Sequence, residues 1–229
     1  MPNTFLRFRF VLVALVAACI GAAPFVAGRA FAQSAQTPNQ IVQGIVDELG
    51  SALDGHREEL RKNPEQLIKV IDNILLPHFD IDYASLLVLG RHAREATPAQ
   101  RVRFSHAFYN SITHRYAEGL LTYTKGSVKV LPAAAGSGLD ARRSVVRTEV
   151  MLDDGKSLSV DYVFRKTSSG EWKAYDVVIE GISYVTNYRN QVDAEIQKEG
   201  IEGLIHRLET EGAKAIDEMQ QQAQQPAGH

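Results

Sequence analysis

Apolar residues along this chain repeat first at helical spacing, then at every second position, then at helical spacing again. Ile41, Ile45, Val46, Leu49, Leu53 and Leu60 form the first helical stripe. Asn63-Pro64 restarts a helix, because Asn caps and Pro suits the first helical position. That helix carries Leu67, Ile68, Ile71, Ile74 and Leu75 and stops near Pro77. A short helix with Asp82 as its cap leads through Leu86, Leu87 and Leu89 to Gly90. Thr97-Pro98-Ala99-Gln100 is a capping box, and the helix it opens shows Phe104, Phe108, Ile112, Tyr116 and Leu120 on one face.

After Lys125-Gly126 the period falls to two. Ser127–Leu131, Ser144–Leu152, Lys156–Arg165 and Glu171–Ile179 read as four strands. Asp153-Asp154-Gly155 and Ser168-Ser169-Gly170 are tight turns, which makes the strands antiparallel. Ala133–Asp140 is a looser, Ala- and Gly-rich connection. Helical periodicity returns over Thr186–Lys198, breaks at Gly200, and resumes over Ile201–Leu208. The pattern predicts one α+β domain over 33–212: N-terminal helices packed on a curved four-stranded antiparallel sheet, followed by C-terminal helices. Residues 213–229, rich in Gln, read as a disordered polar tail.

The N-terminus has the pattern of an export signal over residues 1–32. Arg7 and Arg9 precede an apolar run from Phe10 to Ile20, and Ala30-Phe31-Ala32 offers a cleavage site. A span of membrane needs about 20 apolar residues, more than this run supplies. Val16-Ala17-Ala18-Cys19 has the form of a lipobox, so a lipoprotein anchored at Cys19 is the competing reading. The residues after Cys19 stay apolar as far as Val26, unlike a polar tether, which favours cleavage after Ala32. Cleavage there removes the one cysteine, and with it any disulfide or thiolate chemistry. It also removes Arg7, Arg9 and Arg29 and no acid, so the formal charge goes from −2 to −5. A mildly acidic surface has no general attraction for nucleic acid or for anionic membranes.

Candidate chemistry is sparse. None of the histidines after the signal (His56, His78, His92, His106, His114, His206, His229) has metal-ligand spacing. Gly136-Ser137-Gly138 lacks the spacing of a nucleophile elbow. Asp161 and Asp176 lie inside strands. Asp176 is either a general base with a raised pKa or a hydrogen-bonded structural carboxylate; no second acid or nucleophile accompanies it. Phe104, Phe108, Tyr116, Tyr162, Phe164, Tyr175, Tyr184 and Tyr188 concentrate where helices should cover the sheet. By default such residues are core; an apolar ligand pocket is the other reading.

Several motifs narrow these alternatives. Phe79-Asp80, Val88-Leu89-Gly90-Arg91 and Ala96-Thr97-Pro98-Ala99-Gln100-Arg101 form one group, and Tyr116-Ala117, Leu120 and Tyr123 continue it. Trp172-Lys173, Tyr175-Asp176-Val177, Glu180-Gly181-Ile182-Ser183 and Asn187-Tyr188-Arg189 form another, and Gly200 with Gly203-Leu204-Ile205 closes the series. Over about residues 41–210 the chain resembles the MlaC/Ttg2D family of periplasmic phospholipid carriers. The resemblance implies a non-enzymatic protein with an apolar cavity between helices and sheet and no cofactor. It also implies an inner-membrane ABC lipid transporter with a lipid-binding ring and an outer-membrane lipoprotein complex as partners. Where the family carries an aromatic, often Trp, this chain has Ala93. A branch of the family is associated with hopanoid lipids, which the departure keeps open.

A carrier of this kind has a large energy to replace. Two sixteen-carbon chains hold about 30 methylenes, or about 24 kcal/mol at ~0.8 kcal/mol each. Under the resemblance, the lipid-binding candidates on the strands are Val146, Val150, Leu158, Val160, Tyr162, Val177 and Ile179. The helices and their connections add Ile74, Phe79, Phe104, Phe108 and Ile112. Arg94, Asn187 and Arg189 are candidates for the pocket mouth or headgroup contact, with Arg189 alternatively an ion-pair partner of Asp176.

Overall fold

The computed structural model describes residues 36–122, 126–132, 142–152 and 155–224. The export signal with Cys19, the 133–140 connection with Gly136-Ser137-Gly138, Asp153-Asp154, Tyr123, Lys125 and residues 225–229 lie outside the described residues. Among the described residues, seven α-helices and five strands follow in the order α1 (Pro38–Leu53), α2 (Arg57–Lys62), α3 (Pro64–Leu75), α4 (Ile81–Leu89), α5 (Pro98–Leu120), β1 (Val128–Val130), β2 (Arg143–Met151), β3 (Ser157–Lys166), β4 (Trp172–Ile179), β5 (Ile182–Ser183), α6 (Tyr184–Glu211) and α7 (Ala213–Gln224). Short 3₁₀ turns occupy Leu76–His78 and Gly90–Ala93.

The helix starts follow from their caps. Thr37 with Gln40 and Thr97 with Gln100 each form a complete capping box with Pro at the first position. Asn63 accepts from the backbone N–H of Gln66 to open α3. The cap of α4 is Asp80, not the expected Asp82: Asp80 accepts from the Tyr83 N–H, while Asp82 sits in the first turn and accepts from the Ser105 hydroxyl. The first apolar stripe, read through Leu60, divides into α1 and α2 at Asp54-Gly55-His56. Within α6, Gly200 leaves helical geometry with φ of 74°, which matches the break in the sequence pattern.

The sheet is an antiparallel meander in the order β1-β2-β3-β4-β5. It has five strands, where four were expected. The fifth is only two residues long, too short to show a period of its own. It is created by a hairpin at Glu180-Gly181, where both residues take positive φ (49° and 80°), as a two-residue turn of this hand requires. Glu180 is held in that unusual conformation by two bonds to Ser159, backbone to backbone at 3.0 Å and carboxylate to N–H at 2.6 Å.

A register shift interrupts β3–β4 pairing between Val163 and Phe164, leaving Tyr175 without a cross-strand partner in the ladder. On an unbroken strand, neighbouring residues point to opposite faces; a bulge breaks that alternation. Phe79 adds a parallel bridge to Ala174, so the segment before α4 runs along the free edge of β4.

Three apolar clusters hold these layers together. The largest joins α4, α5, α6 and α7. A second joins α1, α2 and α3 to the end of α5 around Leu53, Leu60 and Ile71. In the third, Ile41, Val42 and Val46 of α1 cover Val146, Phe164 and Ala174 of the sheet. The expected disordered tail is instead helix α7 over most of its length. Its Ala215, Ile216 and Met219 are at most 1% exposed, so a short apolar stripe within the Gln-rich sequence docks it.

Candidate functional site: an apolar cavity between the helices and β4

A cavity of about 140 Å³ lies where α4, α5, α6 and β4 converge. The first wall is α4, whose Ile81, Ala84, Ser85 and Val88 repeat at helical spacing. Phe108, Tyr109 and Ile112 of α5 form the second. Tyr184, Val185 and Tyr188 of α6 form the third, and Phe79 closes against the sheet edge. Strand β4 supplies three consecutive residues, Tyr175, Asp176 and Val177, which the bulge at Tyr175 makes possible.

Aromatic rings pack in two groups, in the cavity wall and directly behind it. Phe104 stacks on Phe108 with centroids 5.3 Å apart, and Phe108 meets Tyr188 edge-on at 5.2 Å. Tyr83 meets Tyr175 edge-on at 5.1 Å, and the Arg165 guanidinium covers the Tyr83 ring at 4.1 Å. Arg165 also pairs with Asp80 at 2.6 Å, which ties the α4 cap to β3.

The carboxylate at the cavity is already engaged. Asp176 is buried and accepts from the Ser183 hydroxyl at 2.7 Å and the Val185 N–H at 3.0 Å. Ser183 is the N-cap of α6 and Val185 lies in its first turn, so Asp176 works as a remote cap on that helix. Its presumed partner Arg189 lies elsewhere: the Arg189 Nε donates to the Leu87 carbonyl at 2.6 Å, and its stem passes over Gly90. A side chain at Gly90, where φ is 55°, would meet Arg189 at 3.2 Å. Burial raises the pKa of Tyr175, Tyr184 and Tyr188, with the Tyr116 hydrogen bond adding to the rise at Tyr188. Burial and a bond from the Tyr109 hydroxyl to Asp72 at 2.6 Å do the same for Tyr109. The four phenols are therefore neutral at any physiological pH.

The expected lipid-binding residues divide into three groups. Phe79, Phe108, Ile112 and Val177 line this cavity. Val146, Val150, Leu158, Val160, Tyr162, Val177 and Ile179 share one face of the sheet by register: Val146 opposes Tyr162 and Tyr162 opposes Val177, Val150 opposes Leu158, and Val160 opposes Ile179. Of these, Val146 is 1% exposed beneath α1, whereas Val150, Leu158, Tyr162, Val177 and Ile179 are half-buried. Phe104 and Ile74 are buried outside the lining, Phe104 directly behind Phe108. At the supposed mouth, Arg94 is exposed, Asn187 is half-buried, and Arg189 is committed to Leu87. Ala93 packs against the helical core. The wall from α4 escaped sequence reasoning, although Ile81, Ala84, Ser85 and Val88 have a legible helical period, and from α6 only Tyr184 and Tyr188 were noted, among the aromatics. Among the described residues no cluster of three metal-ligating side chains occurs, and no helix is long and apolar enough to cross a membrane.

Fold and site together define an α+β protein with an aromatic-walled apolar pocket, suited to a water-insoluble ligand. Residues 43–210 match the MlaC protein family, and the chain belongs to that family. It is 32% identical over 168 residues to the toluene tolerance protein Ttg2D of Pseudomonas putida, covering 73% of this chain and 76% of that protein. It is 26% identical over 183 residues to the intermembrane phospholipid transport system binding protein MlaC of Haemophilus influenzae, covering 79% of this chain and 84% of that one. A phospholipid-binding protein from Ralstonia solanacearum, solved in complex with a phospholipid, superimposes with a TM-score of 0.70 at 26% identity, covering 79% of this chain and 99% of that one.

Proposed function

We propose that this chain is a periplasmic phospholipid carrier with no enzymatic activity, moving lipid between an outer-membrane lipoprotein complex and an inner-membrane ABC transporter with a lipid-binding ring. The observation that carries this reading is the apolar cavity between β4 and three helices, whose single carboxylate, Asp176, is spent on capping α6. A base must have an oxygen directed at its substrate, and both Asp176 oxygens already accept protein donors. Kinship to proteins named for phospholipid binding and transport supports the same reading.

A cavity of 140 Å³ has the size that encloses a benzene ring. Two acyl chains need far more room, so loading separates the helical layer from the sheet. The half-buried face of Val150, Leu158, Tyr162, Val177 and Ile179 then takes up the remaining tail surface. Phe79, Phe108 and Ile112 contact the tails within the cavity.

Native mass spectrometry of the exported protein, followed by lipid extraction, tests the proposal. One two-chain phospholipid per protein is expected. A polycyclic terpenoid would reassign the cargo to hopanoids. A folded protein that stays empty after incubation with phospholipid vesicles overturns the carrier reading. The mature N-terminus, expected at Gln33, distinguishes the soluble form from a lipoprotein beginning at Cys19.

A further inference from the structure

The family match stops at residue 210, and helix α7 begins at Ala213. Helix α7 supplies none of the cavity lining among the described residues, yet it reaches the cavity through one side chain. The Gln220 amide nitrogen donates to the Tyr188 hydroxyl at 2.8 Å and to the Tyr116 hydroxyl at 2.5 Å, and the two hydroxyls are 3.0 Å apart. Both amide protons are thereby used, and α5, α6 and α7 meet in one polar knot behind an otherwise apolar wall.

We propose that Gln220 is a specificity-determining residue: by latching the Tyr188 ring in place as the end wall of the cavity, it limits the length of tail that the cavity accepts. Tyr188 is 3% exposed and lines the cavity, and its hydroxyl is held by Gln220, which is not among the lining residues. Phe108 braces the ring edge-on, and Tyr184 lies 6.1 Å away on the cavity side. The helix that carries the latch is anchored independently. Ala215, Ile216 and Met219 are buried, and Asp217 pairs with Arg115. Gln220 is thus free to act on the ring without being needed to dock α7. Without it, the Tyr188 hydroxyl loses a donor fixed on a neighbouring helix, and the ring can turn aside to lengthen the cavity.

This inference rests on the carrier reading, and the test separates the two. The mature protein and its variants are incubated with vesicles containing equal amounts of ditetradecanoyl- and dioctadecanoyl-phosphatidylglycerol. The ratio of long to short lipid bound is read by native mass spectrometry. Gln220→Ala is expected to raise that ratio about fourfold for each further methylene enclosed. Tyr188→Phe keeps the ring and removes its hydroxyl, so it should shift the ratio the same way; it carries the test if Gln220→Ala does not fold. Lys214→Ala, on the exposed side of the same helix, should leave the ratio unchanged. If the wild type loads lipid and neither Gln220→Ala nor Tyr188→Phe changes the ratio, the latch is overturned and the carrier reading stands. An equal shift in Lys214→Ala overturns the latch in favour of a general loosening of α7. If the wild type takes no lipid, the carrier reading falls and the inference falls with it.

Discussion

The two halves of helix α6, divided at Gly200, face opposite tasks. Before the break, Tyr184, Val185 and Tyr188 border a cavity. After it, Leu204, Ile205 and Leu208 are at most 2% exposed and interlock with Ala215, Ile216 and Met219 of α7. Flexible aliphatic side chains fill the second half; planar rings wall the first and leave room between them. Charge bridges the two halves. Arg207 reaches back across the break to Glu195 and, at 2.8 Å, to Glu199, and also pairs with Glu218 of α7 at 3.6 Å. Arg103 holds Glu202 at 2.5 Å and Glu209 at 2.7 Å. Both halves are tied to their neighbours, the first by Asp193 to Arg91 at 2.8 Å and His92 at 2.7 Å and the second by Arg103 and Arg207, so what separates them is packing: open before Gly200, filled after it.

The comparison breaks hardest at Arg207. Glu195 is 3% exposed, so Arg207→Ala leaves a buried carboxylate with only the distant Lys198 ammonium at 4.0 Å, and we expect a loss of about 3 kcal/mol in denaturant unfolding. A loss under about 1 kcal/mol would mean that the clamp is dispensable. Next comes a paired truncation. Leu204→Ala should cost about 3 kcal/mol, because its close-packed site cannot collapse. Ile112→Ala, beside space that already exists, should cost about 1 kcal/mol while reducing lipid retained after purification. Equal losses of stability would erase the distinction between the filled and the open half.

Asp176 sharpens the open side of the comparison. Asp176→Asn replaces a charged acceptor at the α6 N-terminus with a neutral amide, and about 1–2 kcal/mol of stability should go. Lipid occupancy of the folded fraction should remain. Loss of a catalysed turnover with stability intact would instead restore the general-base reading of this residue.

What could be read from the sequence follows the same line between regular and special positions. Thr97 and Gly200 act through chemistry local to a few residues, so helix boundaries were legible there; Thr37 builds the same capping box with Gln40, but the first stripe was read only from Ile41. The strand register was legible as far as alternation holds, which is why seven candidate residues fall on one face. Alternation fails at the bulge, and there Tyr175, read only as one of a group of aromatics, and Asp176 join Val177 in the cavity wall. Asp176 was visible as an odd carboxylate in a strand, but its partner N–H on Val185 is brought to it by the β4–β5 hairpin rather than by sequence spacing. Composition misled at α7, because three buried residues among Gln and charged neighbours barely alter a Gln-rich average.

The smallest expected effect tests whether the surface clamp on the filled half is electrostatic. Bonds from Arg103 hold the carboxyls of Glu202 and Glu209 below their usual pKa. The unfolded chain therefore binds protons on these groups before the folded chain does. The stabilisation is present above the ordinary value of 4.5 and is lost as pH falls through the lowered folded values. All three side chains are substantially exposed, so water and salt screen the interaction. Arg103→Ala should lower the melting temperature slightly at pH 7, less in 1 M salt as a rough upper limit of screening. At acid pH, where both glutamates are protonated in the wild type, the variant and wild type should melt together. A difference that persists there would assign the role of Arg103 to the packing of its stem against α6, and the clamp would be steric instead of ionic.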